Sequence, residues 1–218
     1  MIVRRWLIVC VLLSAALASS VALARVLGSR QTPRFHVWLR HANGMPCERA
    51  CILGVAPSSA LSFEAAQAIL AEHPLVDNAM LINRGLTVHW RTESFVLSIG
   101  RTQDSEQLAW INLQLRQRDL QVRDLVAAYG IPDYVAAANN TILTDLLYAA
   151  HGLQASALRE ALPEGAPLRL SHRVYNLYLV KDEQFQALLR QIGGNLKAWR
   201  GFVSVARYLN RPSRFAVP

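Results

Sequence analysis

The longest apolar run lies at the N-terminus. Arg4 and Arg5 are followed by Trp6 to Ala24 without a charged residue. At helical rise this stretch covers about 28 Å, close to the ~30 Å hydrocarbon core of a bilayer, and it predicts an N-terminal transmembrane helix with membrane contact through residues 6–24. The triplets Ala16-Leu17-Ala18 and Ala22-Leu23-Ala24 satisfy the small-x-small cleavage rule of a secretory signal, but the run outlasts the about 7–15 apolar residues of such a signal. The preferred reading is an uncleaved anchor, and a chain secreted after signal cleavage is the alternative. Arg25, Arg30, Arg34 and Arg40 after the span outnumber the arginines before it, which argues for a cytoplasmic body. A short basic head before a first apolar segment argues the other way. We take the second, which makes the chain a single-pass protein of the cell membrane with an extracytoplasmic body.

Beyond the linker the period changes. Ser62 is a candidate N-cap with Leu61 before it and Glu64 in the first turn, and Phe63, Ala66, Ile69 and Leu70 recur at helical spacing until His73-Pro74. Four runs rich in β-formers follow, "LVDNAMLIN", "GLTVHW", "SFVLSIG" and "LAWINLQL", with tight connections at Asn83-Arg84-Gly85 and Arg91-Thr92-Glu93. Asp119 is a candidate cap for a second helix, Leu120 to Tyr129, that ends at Gly130 with Pro132 beyond. Strand-like runs come again: "DYVAAA", "TDLLYAA", "LQASALR" and "LRLSHRVYNLYLV". A third helix is expected over about Asp182 to Ile192, closed by Gly193-Gly194. Residues 196–209 fit a basic amphipathic helix or a final strand equally well.

These patterns predict an α+β fold, in which the transmembrane helix is followed by a two-layer body of two tandem helix-plus-antiparallel-meander repeats. The expected organisation is a membrane segment (1–30), a linker (31–44), a first repeat (45–118), a second repeat (119–195) and a basic C-terminal segment (196–218).

Charge sharpens this picture. The chain of 218 residues has a formal net charge of +8, yet residues 31–183 hold all 15 acidic side chains and 13 basic ones. The positive charge therefore sits in the first thirty residues and in the tail from Gln184 to Pro218. A nucleic-acid binder carries its basic stripe on the folded domain, so no nucleic-acid partner is expected; anionic lipid headgroups are the nearer partner for the two ends.

Of the three cysteines, Cys10 lies in the apolar run, leaving Cys47 and Cys51 for each other. In an oxidising space they are expected to form a disulfide. A zinc site built from His36, His41, Cys47 and Cys51 has a spacing that matches no familiar zinc module, and a thioredoxin-type centre needs Cys-x-x-Cys, not Cys-x-x-x-Cys. No Gly-x-Ser-x-Gly elbow, phosphate loop, dinucleotide fingerprint or His-Glu-x-x-His helix is present. His89 and His172 read as structural histidines in strands, Asp124 as a first-turn charge, Asp133 as a turn former, and Trp90 and Trp110 as core or edge aromatics. No catalytic, cofactor-binding or metal-binding residue is assigned, and no cofactor is expected.

The stretches "PCERACILGVAPSSALSFEAAQAIL", "LQVRDLVAAYGIPDYV" and "WRGF" resemble the Pro-Cys, Gly-Ile-x-Pro-Gly-x-Thr, Tyr-Gly-x-Pro and Trp-x-Gly-Phe landmarks of a family of uncharacterised, membrane-anchored bacterial envelope proteins. The resemblance covers residues 45 to about 210. Ser58 and Leu61-Ser62 stand where that pattern has a glycine and paired threonines. At the level of fold alone, the expected units are similar to β-lactamase-inhibitor proteins and to small lipoproteins of outer-membrane assembly, which implies a protein partner on the αβ body. The expected function is a non-enzymatic, protein-binding or structural envelope module. The alternatives are a hydrolase or sugar-modifying enzyme with a cryptic site, and a lipid-surface protein working through its basic C-terminal segment.

Overall fold

Period-two alternation governs most of the body, and it produces a single sheet. The computed structural model describes residues 6, 13–14, 19–20, 37–45, 47, 49–58, 60–117, 120–137, 142–158, 167–203 and 208. By internal packing the chain divides into residues 1–36 and residues 37–218.

In the first unit Trp6, Leu13, Ser14, Ser19 and Ser20 are helical. Among the described residues no helix is long and apolar enough to cross a membrane. This corrects the expected transmembrane helix over residues 6–24, and with it the single-pass placement in the cell membrane. The criterion is continuous length: a crossing takes about 20 consecutive apolar helical residues, which no helix among the described residues reaches. The rest of the segment, Cys10 included, lies outside the described residues.

The second unit contains helix α1 (Phe63–Ala71), strands β1 (Met80–Asn83), β2 (Thr87–Arg91), β3 (Phe95–Gly100) and β4 (Trp110–Leu115), helix α2 (Val122–Tyr129), strands β5 (Tyr134–Ala137), β6 (Leu143–Tyr148), β7 (Leu153–Leu158) and β8 (Arg173–Val180), helix α3 (Asp182–Ile192) and strand β9 (Leu196–Ala198). The expectation of two tandem repeats in two layers is corrected here. All nine strands among the described residues belong to one antiparallel sheet, in the order β1-β2-β3-β4-β8-β7-β6-β5-β9. Strands β4 and β8 pair from Trp110 opposite Val180 to Gln114 opposite Asn176, so no break in hydrogen bonding separates residues 45–118 from 119–195. The physical reason is the edge: β4 and β8 would each present a row of unpaired N–H and C=O groups, and joining satisfies both rows at once.

Local signals account for the helix ends. The Ser62 hydroxyl accepts from Ala65 N at 3.1 Å, capping α1, and α1 lies against β3. Asp119, the expected cap of α2, lies outside the described residues. The N-cap there is Gln121, whose N–H donates to the Asp124 carboxylate at 2.8 Å, the reciprocal half of a capping box. The segment after α3 is resolved in favour of a strand over Leu196–Ala198, paired with β5. It continues as Trp199 N donates to Asp133 O at 3.0 Å. Residues 204–207 and 209–218 lie outside the described residues.

The sheet has two unlike faces. One carries Val88, Leu97, Ile99, Ile111, Leu113, Leu177, Ala155 and Leu146, each fully buried. The residues between them point to the second face. Helix α3 covers part of that face: Phe185, Leu188 and Leu189 pack with Trp110, Tyr178, Val180, Leu147, Tyr134 and Ala136.

Candidate binding face and neighbouring sites

Register places the second-face residues in continuous cross-strand rows. His89 on β2 stands opposite Ser98 on β3, Ser98 opposite Asn112 on β4, Asn112 opposite Tyr178 on β8, and Tyr178 opposite Gln154 on β7. A second row runs from Arg91 to Val96, Gln114, Asn176, Ser156 and Asp145 on β6. At about 4.8 Å per strand the second row spans roughly 24 Å.

Most members are neutral amides and hydroxyls, and two contacts fix their rotamers. His89 Nδ1 lies 2.8 Å from Ser98 Oγ, and Ser156 Oγ donates to Asp145 Oδ1 at 2.6 Å. A register irregularity between Ser156 and Ala157 leaves Tyr175 exposed beside Asn176. Helix α3 occupies the end of the face nearest Trp110 and Tyr134. The α3 cluster includes no residue of β2 or β3, and Arg91 and Gln114 are exposed.

The remaining sequence candidates are placed as follows. Cys47 and Cys51 form a disulfide with Cα atoms 6.2 Å apart, within the usual range for such a bridge. The bridge leads into a tight, buried turn: Ile52 N donates to Val55 O at 2.8 Å, Val55 N returns to Ile52 O at 3.0 Å, and Leu53 N donates to Trp38 O at 2.8 Å. Helix α2 touches this turn, because the Tyr129 hydroxyl is hydrogen-bonded to the Cys51 backbone. His41 is exposed and His36 lies outside the described residues. Among the described residues no group of three His, Cys, Asp or Glu could hold a metal ion.

His172 is buried with Nδ1 near Arg169 N at 3.4 Å. Asp133 accepts from Ala149 N at 2.6 Å, tying the start of β5 to the end of β6. Trp90 is buried in the sheet, while Trp110 stacks obliquely on Tyr178 with centroids 6.2 Å apart.

Sequence reasoning missed two further features. An aromatic cluster joins Tyr129 to Tyr148 at 6.0 Å and to His151 at 5.1 Å. Burial pushes both tyrosine hydroxyls well above their usual pKa, because a phenolate loses its hydration there. A cleft of 330 Å³ is lined by Arg49, Pro57, Ser58, Gln107, Lys181, Asp182 and Glu183. Lys181 Nζ donates to Gln107 Oε1 at 2.6 Å across it. No local signal finds either one, since each gathers residues from distant elements. The polar members of the sheet face were visible as alternate positions in each strand, but their alignment depends on the β4–β8 pairing. Comparison with family models, curated proteins and solved structures yields no match for this chain.

Proposed function

We propose that the protein is a non-enzymatic binding module that holds a protein partner on the part of the second sheet face not covered by α3. The observation that carries this reading is the open end of the two polar rows, where Arg91 and Gln114 are exposed and His89, Ser98 and Asn112 are half-buried beside them. They lie on interior strands that are hydrogen-bonded on both sides, and a preorganised surface loses little conformational freedom when a partner docks. Amides and hydroxyls serve both as donors and as acceptors, which suits recognition of a polypeptide surface better than selection of one small ion. The disulfide suits a module working in an oxidising compartment.

The test is photo-crosslinking in cells of the source organism, with the crosslinker at Asn112 or Gln114 and a control at Glu64 on α1. A discrete adduct from the sheet positions, absent from the control and lost on Ser98→Arg, is the expected result. Equal labelling at all three positions would refute the reading.

A hydrolase reading has one observation in its favour, the imidazole–hydroxyl pair of His89 and Ser98. Among the described residues no carboxylate is hydrogen-bonded to His89 to orient it, as a nucleophile–base pair requires. A cross-strand hydrogen bond between two neighbours on one face accounts for the contact. Failure of a fluorophosphonate probe to label Ser98 is expected. A lipid-surface role calls for an amphipathic helix in the tail, whereas Leu196–Ala198 form strand β9.

A further inference from the structure

The sheet ends on β1, whose pairing runs to β2 alone among the described residues. Its four residues, Met80, Leu81, Ile82 and Asn83, include no charge and no proline, the two features that most often protect an edge from pairing with another chain. Met80 and Leu81 are 58% and 52% exposed.

The groups available at this edge follow from the hairpin. Arg84 N donates to Thr87 O at 2.9 Å, and antiparallel pairs alternate between bonded and non-bonded. Ile82 opposite His89 and Met80 opposite Arg91 are therefore bonded pairs. Leu81 and Asn83, at the alternate positions, turn their N–H and C=O groups away from β2. On either side the donors are already engaged: Ala79 N donates to Val76 O at 2.9 Å, and Gly85 N donates to Asn83 Oδ1 at 2.9 Å.

These observations select both an occupant and a register. We propose that β1 pairs with β1 of a second copy of this chain, antiparallel, about a two-fold axis through Ile82. In that register Leu81 of each copy faces Asn83 of the other, so all four outward groups of each strand are used. Moving the axis to Leu81 or to Asn83 would call on the engaged Ala79 or Gly85 N–H. The same axis brings Arg84, at the exit of β1, towards the partner copy's chain just ahead of Met80, where Asp77 stands. A closed two-fold contact uses one patch twice and stops at the dimer. The axis is perpendicular to the sheet, so the second faces of the two copies lie on the same side. The pairing does not depend on the binding function proposed above.

The experiment is cysteine crosslinking of the full chain in a Cys10→Ser background. With Ile82 facing its own copy in a non-bonded pair about 4.5 Å apart at Cα, Ile82→Cys is within disulfide reach and is expected to give a covalent dimer on mild oxidation. Leu81→Cys faces Asn83 and is expected to give at least tenfold less. Sedimentation of the unmodified protein should show a monomer–dimer equilibrium. Leu81→Pro should shift it towards monomer at least tenfold, because it deletes an outward donor and leaves the ladder to β2 intact. Asp77→Arg and Arg84→Asp should each weaken the dimer, and the double exchange should restore it. A protein that remains monomeric at every accessible concentration overturns the proposal, as does a dimer indifferent to Leu81→Pro or one crosslinked better through Leu81→Cys than through Ile82→Cys.

Discussion

Gly100 and Trp110 are cross-strand partners on β3 and β4, and the indole lies directly over the glycine, where a Cβ would overlap the ring. The arrangement lets Trp110 lie flat enough to receive α3, whose cluster includes that ring. Sheet, glycine, tryptophan and helix are thus linked in one stack.

Gly100→Ala should therefore destabilise the protein by about 1–3 kcal/mol, the usual range for overpacking. The control is Gly85→Ala. No heavy atom lies within 4 Å of a Cβ at Gly85, but its φ of +75° penalises a side chain by about 1–2 kcal/mol. Urea unfolding should show the larger loss at Gly100, together with a change in tryptophan emission that Gly85→Ala does not produce.

The Cys47–Cys51 bridge closes a very short loop, so its effect on the unfolded chain is limited to about 2 kcal/mol. The melting temperature of the wild type should fall on addition of a reductant. A Cys47→Ser, Cys51→Ala double variant should start at the reduced value and not respond. Alanine is chosen at 51 because that side chain is buried and a serine hydroxyl would need a partner.

Tyr148 is 1% exposed, and its hydroxyl is among the buried polar atoms without a hydrogen-bond partner. Removing an unsatisfied buried group relieves its desolvation penalty. Tyr148→Phe should be neutral or stabilising by up to about 1 kcal/mol, whereas Tyr129→Phe, which breaks the contact with Cys51, should destabilise. Both phenols ionise later in the folded chain than in the unfolded one. Stability is therefore expected to fall as pH rises above 10, the unfolded value, and an ultraviolet titration should show a set of tyrosines that ionise only on unfolding.

His73 is buried, with Nδ1 accepting from Leu75 N at 3.2 Å, and burial lowers its pKa below 6.5. The neutral ring is favoured in the folded state, so its contribution is present above pH 6.5 and is lost as pH falls towards the folded pKa. The decline in stability below pH 6.5 should be shallower for His73→Asn than for the wild type, as read from urea midpoints at several pH values.

Some of this was legible in the linear chain. Ser62 followed by Phe63, Ala66 and Leu70 determines where α1 starts and which side it buries, because capping and the 3.6-residue period act within a few residues. The alternation in "SFVLSIG" and "LAWINLQL" likewise determines two-faced strands, and the spacing of Cys47 and Cys51 permits a bridge between them. Residues 196–209 were undecidable by period. What settled Leu196–Ala198 as a strand is the free edge of β5, a partner supplied by the fold.

The tertiary structure alone decided that β4 joins β8, making one sheet where two repeats were expected, and that α3 covers only part of its second face. It also decided that β1 is left at the margin with Leu81 and Asn83 turned outward. Propensity and capping are local energies that a short window of sequence contains in full. Sheet order and face coverage are settled by which distant edges and apolar surfaces satisfy one another, and that competition involves the whole chain at once.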